Sequence, residues 1–242
     1  MKQIILALLI TTLSTVELIG QQIFSPDDKI SLTFSLLKDG SATYQLDYEN
    51  NKVVKISKLG FELKNDSIDL KSGFTIVNTE NLTFDEIWKP VWGEESEIRN
   101  HYNELFVSLL QKSTQRILNI RFRVFNDGLG FRYEFPEQEN LSEVFISDEN
   151  TQFNLTGDHK VWWMPGDWDI YEHLYNATKF SEIDAMSKAN HPNLGQHSYI
   201  PENAVNTPVT MKTEDGLYLS FHEADLTNYS GMTLKVDSKN LD

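Results

Sequence analysis

The chain has 242 residues, 40% of them hydrophobic and 24% charged, the balance of an ordinary globular protein. Its formal charge of −15 argues against a nucleic-acid partner, because a backbone-binding surface needs surplus Lys and Arg to displace counterions. Neutral ligands such as carbohydrates, and divalent cations, remain compatible with it. Cysteine is absent, so there are no disulfide staples and no lipid-modified cysteine to serve as a membrane anchor.

The first residues read as a secretory signal, with Lys2 as the charged start, residues 4–13 as the apolar stretch and a cut after Gly20. That apolar stretch is too short to span a bilayer as a finished helix. The expected mature domain is therefore 21–242, periplasmic or secreted; Lys2 and Glu17 leave together, so its charge stays at −15.

Beyond the signal, short strand-like runs alternate with turns. Residues 30–37 place Leu32, Phe34 and Leu36 between Ser31, Thr33 and Ser35, the two-residue period of a half-buried strand. Asp39-Gly40 turns the chain into 42–48, and Asn50-Asn51 turns it again before 53–56. Further strands are predicted at 58–63, 74–78, 82–88, 102–110 and 116–126, the last ending in the turn Asn126-Asp127-Gly128. After it come 129–135, stopped by Pro136, which lacks an amide donor, then 143–147 and 160–164. Residues 177–188 are the sole helical candidate, inside or beside a long polar loop over 180–206. Strands at 209–212, 217–222 and 232–236 close the series, with Asp215-Gly216 as a turn. Repeated strands with a turn every ten residues or so describe an all-β sandwich or barrel.

Three stretches are distinctive. Residues 85–105 read DEIWKPVWGEESEIRNHYNEL, 125–136 read FNDGLGFRYEFP, and 165–175 read PGDWDIYEHLY, with TEDGLYLSFHEADLTNYSGM following at 213–232. Together with SPDDKISLTF and KLGFEL near the start, they resemble the N-terminal domain of glycoside hydrolase family 97, bacterial α-glucosidases and α-galactosidases. The resemblance runs from residue 21 to the last residue. It implies a β-supersandwich similar to galactose mutarotase, packed on a C-terminal (β/α)8 catalytic domain that carries the acid and the base or nucleophile. The sequence stops at Asp242, where a family member would still be inside its sandwich, so the barrel is expected outside this chain. A barrel needs about 200 residues or more, for which there is no room beside these strands. Glycoside hydrolysis also needs two carboxyl groups roughly 5–10 Å apart. Asp and Glu total 36, so their abundance selects no pair, and none is assigned a catalytic role.

The resemblance singles out Glu172 as a metal ligand that reaches the barrel's active site and helps bind calcium there. A hard cation takes several oxygen ligands, so one carboxylate could only complete a site built elsewhere. Asp167 and Asp169 are weaker candidates, and any single acid is more often a solvated loop residue. Trp162 and Trp163 are strand neighbours, so one of them is expected in the core. Trp168, in the loop, is the candidate for stacking on a sugar. Trp92, Glu94, Arg99 and His101, with Glu95 and Asn100, are expected to form a polar interface with the barrel, Arg99 forking onto a carboxylate. His222 and Glu223 face opposite ways along a strand, and His191 and His197 lack ligand spacing with a third partner, so these histidines read as structural.

Three functions are compatible with these features. The first is a carbohydrate-binding and supporting domain of an exported calcium-dependent α-glycosidase, inactive alone. The second is a stand-alone carbohydrate-binding module. The third is a mutarotase-like enzyme, which ranks last because no acid and base are positioned across a sugar's anomeric centre.

Overall fold

Alternating apolar and polar side chains build sixteen strands in this computed structural model, which describes residues 20–64, 66–188 and 199–238. Residues 1–19 of the expected signal, and with them His191 and His197, lie outside the described residues. Strands β1 (Gln21–Phe24), β2 (Ile30–Leu36), β3 (Ala42–Tyr48) and β4 (Asn51–Lys58) form an antiparallel meander, followed by the short β5 (Phe61–Leu63). A second antiparallel sheet contains β6 (Phe74–Trp88), β7 (Ile98–Gln111), β8 (Arg116–Val124) and β9 (Leu129–Glu134) in chain order. Strand β10 (Ile146–Glu149) pairs with β5, and β11 (Asn154–Leu155) extends the first sheet beside β4. The third sheet has the order β13-β12-β14-β15, from β12 (Lys160–Pro165), β13 (Asn176–Lys179), β14 (Ala204–Lys212) and β15 (Tyr218–Phe221). Strand β16 (Thr233–Lys235) pairs with the start of β14.

The main core lies between the first two sheets. Ile30, Leu32 and Phe34 of β2 are buried while the intervening Ser31 and Thr33 are half-buried, and β8 buries Leu118, Ile120, Phe122 and Val124 in the same rhythm. The rings of Phe34 and Phe122 meet at 5.8 Å, joining the sheets. A smaller core under the third sheet gathers Val161, Trp163, Val209 and Met211 with Ile183. The Asp39-Gly40 turn needs its glycine: φ is +77°, and a Cβ there would sit 2.5 Å from the backbone nitrogen of Phe74. No helix among the described residues is long and apolar enough to cross a membrane.

The all-β sandwich expected from the sequence is the fold, with differences at element edges. Residues 74–78 and 82–88 are one strand, because the polar residues Thr79, Glu80 and Asn81 continue the ladder against Val107, Phe106 and Leu105. An exposed edge strand needs no apolar alternation to keep pairing, so the pattern lapses while the hydrogen bonds persist. The strand predicted at 102–110 likewise begins earlier, at Ile98. The predicted loop over 180–206 ends sooner, since residues 204–206 already belong to β14. Pro208 is accommodated there at an exposed position where the β12–β14 register shifts. The helical candidate 177–188 instead supplies the end of β13 and two 3₁₀ turns, Phe180–Glu182 and Met186–Lys188.

Candidate functional site

Strand β12 ends at Pro165, and the chain loops outward before returning as β13. Gly166 anchors the exit: its amide donates to the Ala204 carbonyl at 2.8 Å, and its carbonyl accepts from the Ile200 amide at 3.0 Å. Asp167 follows with its side chain only 1% exposed. One carboxylate oxygen, Oδ1, accepts from the amides of Asp169 and Ile170 at 2.9 and 3.2 Å. The other, Oδ2, lies 2.9 Å from Nε2 of His173, whose side chain is 5% exposed. The His173 ring stacks on Tyr199 at 5.0 Å, and burial together with the Asp167 charge pushes the Tyr199 phenol up. Asn206, fully buried, braces the floor. Its Oδ1 accepts from the Asp167 amide at 3.2 Å and from the Thr233 hydroxyl at 3.3 Å, while Nδ2 donates to the Ile170 carbonyl at 3.3 Å.

With this framework facing inward, the intervening side chains face out. Trp168 is 69% exposed, and Tyr171, Glu172, Leu174 and Tyr175 are exposed beside it. Glu172 forms no hydrogen bond or ion pair with the described residues. Asp169 is exposed too, whereas Asp167 is consumed by the loop's own structure. The two strand tryptophans divide as alternation requires. Trp163 is in the core with its indole N–H donating to Thr178 at 3.0 Å, and Trp162 lies on the other face, stacked on Tyr218.

The second set of predicted residues sits elsewhere, on the β6–β7 hairpin. Trp92 is 89% exposed at its end, and Glu94 and Glu95 are exposed with it. Arg99 forks onto Asp85 at 2.8 and 2.7 Å, and that guanidinium holds the Asp85 carboxyl below the usual aspartate range. Arg99 and His101 line a cleft of about 300 Å³ with Phe125, Asn126 and Asp127, so these two are brought together, and Trp92 and Glu94 are not among its lining residues. A second cleft of about 350 Å³ opens between β3, β4, β9 and β15, lined among others by Tyr48, Phe131, Phe153, Tyr218 and Phe221. Its walls come from five stretches of chain, at residues 30, 44–54, 126–131, 153 and 217–221, so no local pattern announced it. His222 turns its Nδ1 to the Glu223 carbonyl at 2.9 Å. No group of three or more His, Asp or Glu side chains placed to hold a metal ion occurs among the described residues.

Comparison with known proteins places these features in a family. The family described as Glycosyl-hydrolase 97 N-terminal matches residues 23–242. A retaining alpha-galactosidase from Bacteroides thetaiotaomicron is 24% identical over 234 residues, which are 95% of this chain and 33% of that protein. Among solved structures, a glycoside hydrolase family 97 enzyme from Pseudoalteromonas sp. in complex with panose superposes with a TM-score of 0.76 at 29% identity. The match covers 89% of this chain and 30% of that one. The same enzyme in complex with acarbose gives 0.75 at 30% identity, with the same coverage. A beta-arabinopyranosidase shares the fold at 18% identity and a TM-score of 0.74. The chain thus spans about a third of the length of the relatives it matches. With the match running through nearly all of its strands, the chain belongs to the N-terminal domain family of glycoside hydrolase family 97.

Proposed function

We propose that this chain is the carbohydrate-facing, supporting domain of an exported, calcium-dependent α-glycosidase and that it packs on a C-terminal (β/α)8 catalytic domain. The family match over 23–242 carries this reading, with relatives that are glycosidases roughly three times as long. Export is supported by the Lys2 start and the apolar stretch behind it. For calcium, the supporting residue is Glu172: an exposed carboxylate with no partner among the described residues, held on a loop whose base is pinned. A calcium ion needs more oxygens than this one side chain brings, so the remaining ligands belong to the catalytic domain. When bound, the ion would supply fixed positive charge to the site that Glu172 helps complete. Trp168 offers the flat apolar surface on which a pyranose face stacks.

The test is to assay the chain alone and joined to the (β/α)8 domain of a family relative, using aryl α-glucosides and α-galactosides with and without calcium. Hydrolysis only in the joined, calcium-loaded form is the expected result; hydrolysis by the chain alone overturns the reading. The exposed cluster of Trp168, Tyr171 and Tyr175 favours a second reading, a stand-alone carbohydrate-binding module. Calorimetry with malto-oligosaccharides separates the two, because only a self-sufficient module gives binding heat without the catalytic domain.

A further inference from the structure

We propose that Asp167 and His173 act as a positioning clip that fixes the outward-facing segment 168–172, and with it Glu172 and Trp168. This rests on the reading of Glu172 given above, and it concerns residues that reading does not use. A single buried carboxylate ties both ends of the loop. Its Oδ1 closes the first turn on the amides of Asp169 and Ile170, and its Oδ2 catches His173 on the way back, six residues later. The clip is supported from below by Tyr199 against the His173 ring and by Asn206 on the Asp167 amide and the Ile170 carbonyl.

Burying a carboxylate with an imidazole is a weak device for stability, because desolvation cancels most of what their contact returns and an apolar pair would serve as well. Hydrogen bonds have direction, which apolar contacts lack, and three of them converge here on one carboxylate. That directional bracing is what a metal ligand requires from the groups behind it, and removing such bracing ordinarily costs about 10–100-fold in metal affinity. Glu172 sits one residue before the clip's far jaw, so a loosened jaw moves it directly. The clip touches neither metal nor sugar itself; both its residues work through their neighbours.

The experiment compares Asp167→Ala, His173→Ala and His173→Gln in the full chain joined to a family catalytic domain, with Gln retaining a donor near the position of Nε2. Amide hydrogen exchange of Asp169 and Ile170 is read in the calcium-free protein, and calcium affinity by titration after chelation. Faster exchange in both Ala variants, with affinity down about 10–100-fold and recovering in the Gln variant, is expected. Unchanged exchange in the Ala variants overturns the clip. Faster exchange with unchanged calcium affinity is resolved by Glu172→Gln. If Glu172→Gln abolishes binding, the clip does not position Glu172 and the inference fails. If Glu172→Gln also leaves affinity unchanged, the clip still orders the segment and it is the calcium reading that falls.

Discussion

Glu104 and Arg123 face each other across the β7–β8 ladder, with Oε2 of the glutamate accepting from Nε of the arginine at 2.7 Å. The other oxygen of the same carboxylate accepts from Arg121, whose Nε donates to Glu134 at 2.8 Å, and Arg132 also reaches Glu134 at 2.7 Å. The guanidinium of Arg121 lies over Phe106 and that of Arg123 over Tyr102. The outer face of the second sheet is therefore laced by a charge ladder on aromatic supports. Glu104, only 3% exposed in its side chain, is the member around which it closes.

Replacing Glu104 with Ala leaves two arginines facing an uncompensated gap. Breaking a buried pair costs about 3–5 kcal/mol, and the partial exposure of both arginines brings the expectation down to about 2–3 kcal/mol. Urea denaturation should show this as a lower midpoint with an unchanged slope. A midpoint equal to that of the parent chain would mean the ladder is ornamental to stability.

The same ladder has a pH signature. Hydrogen bonding from Arg121, and then Arg132, holds the Glu134 carboxyl below the ordinary glutamate value of 4.5. A carboxyl depressed in the folded state contributes stability that is complete above the unfolded value and lost as pH falls through the folded one. The gap in melting temperature between the parent and Glu134→Gln should thus be widest at neutral pH and narrow below about pH 4.5. Melting curves from pH 7 to 3 give the comparison; a gap that widens in acid contradicts the sign.

Two turn glycines offer a matched contrast. Gly40 and Gly216 both have positive φ, +77° and +95°, but a Cβ at Gly40 would strike the Phe74 backbone whereas one at Gly216 meets nothing within 4 Å. Gly216→Ala should cost only the left-handed conformational penalty, about 1–2 kcal/mol. Gly40→Ala adds displacement of β6 and should cost clearly more, with about 2–4 °C of melting temperature lost per kcal/mol in a chain of this size. Equal losses for the two would show that the close approach to Phe74 yields without cost.

The strands of the two main sheets were legible because their side chains alternate against one core; Leu32, Phe34, Ile120 and Phe122 each stand where a two-residue period puts them. Strand β6 was legible only in halves, since its edge position frees Thr79, Glu80 and Asn81 from any apolar rhythm. At the candidate site the exposed residues Trp168 and Glu172 were marked by the motif around them. The buried framework was not: the Asp167 amide donates to Asn206, 39 residues on, and Asn206 in turn accepts from Thr233, contacts made by folding over distances that no local pattern encodes. An acid that reads as one more loop carboxylate becomes the loop's organiser only when Tyr199 and β14 are brought beneath it.

Trp163 is buried and Trp168 exposed, and parallel substitutions test whether Trp168 does the ligand-facing work proposed for it. Trp163 is 1% exposed and hydrogen-bonded to Thr178, so Trp163→Ala removes a large core side chain and should cost about 3–5 kcal/mol. Trp168 is 69% exposed, so Trp168→Ala should leave the unfolding midpoint within about 0.5 kcal/mol of the parent, as for other surface changes. In the joined enzyme the order reverses. Losing an aromatic platform weakens sugar binding by about 0.5–1.5 kcal/mol beyond the area buried, a rise in KM of several-fold at constant fold stability. Steady-state kinetics on malto-oligosaccharides beside urea curves for both variants provide the check. A Trp168→Ala enzyme with unaltered KM and kcat would remove that side chain from the sugar's path and leave Tyr171 and Tyr175 as the aromatic surfaces of the loop.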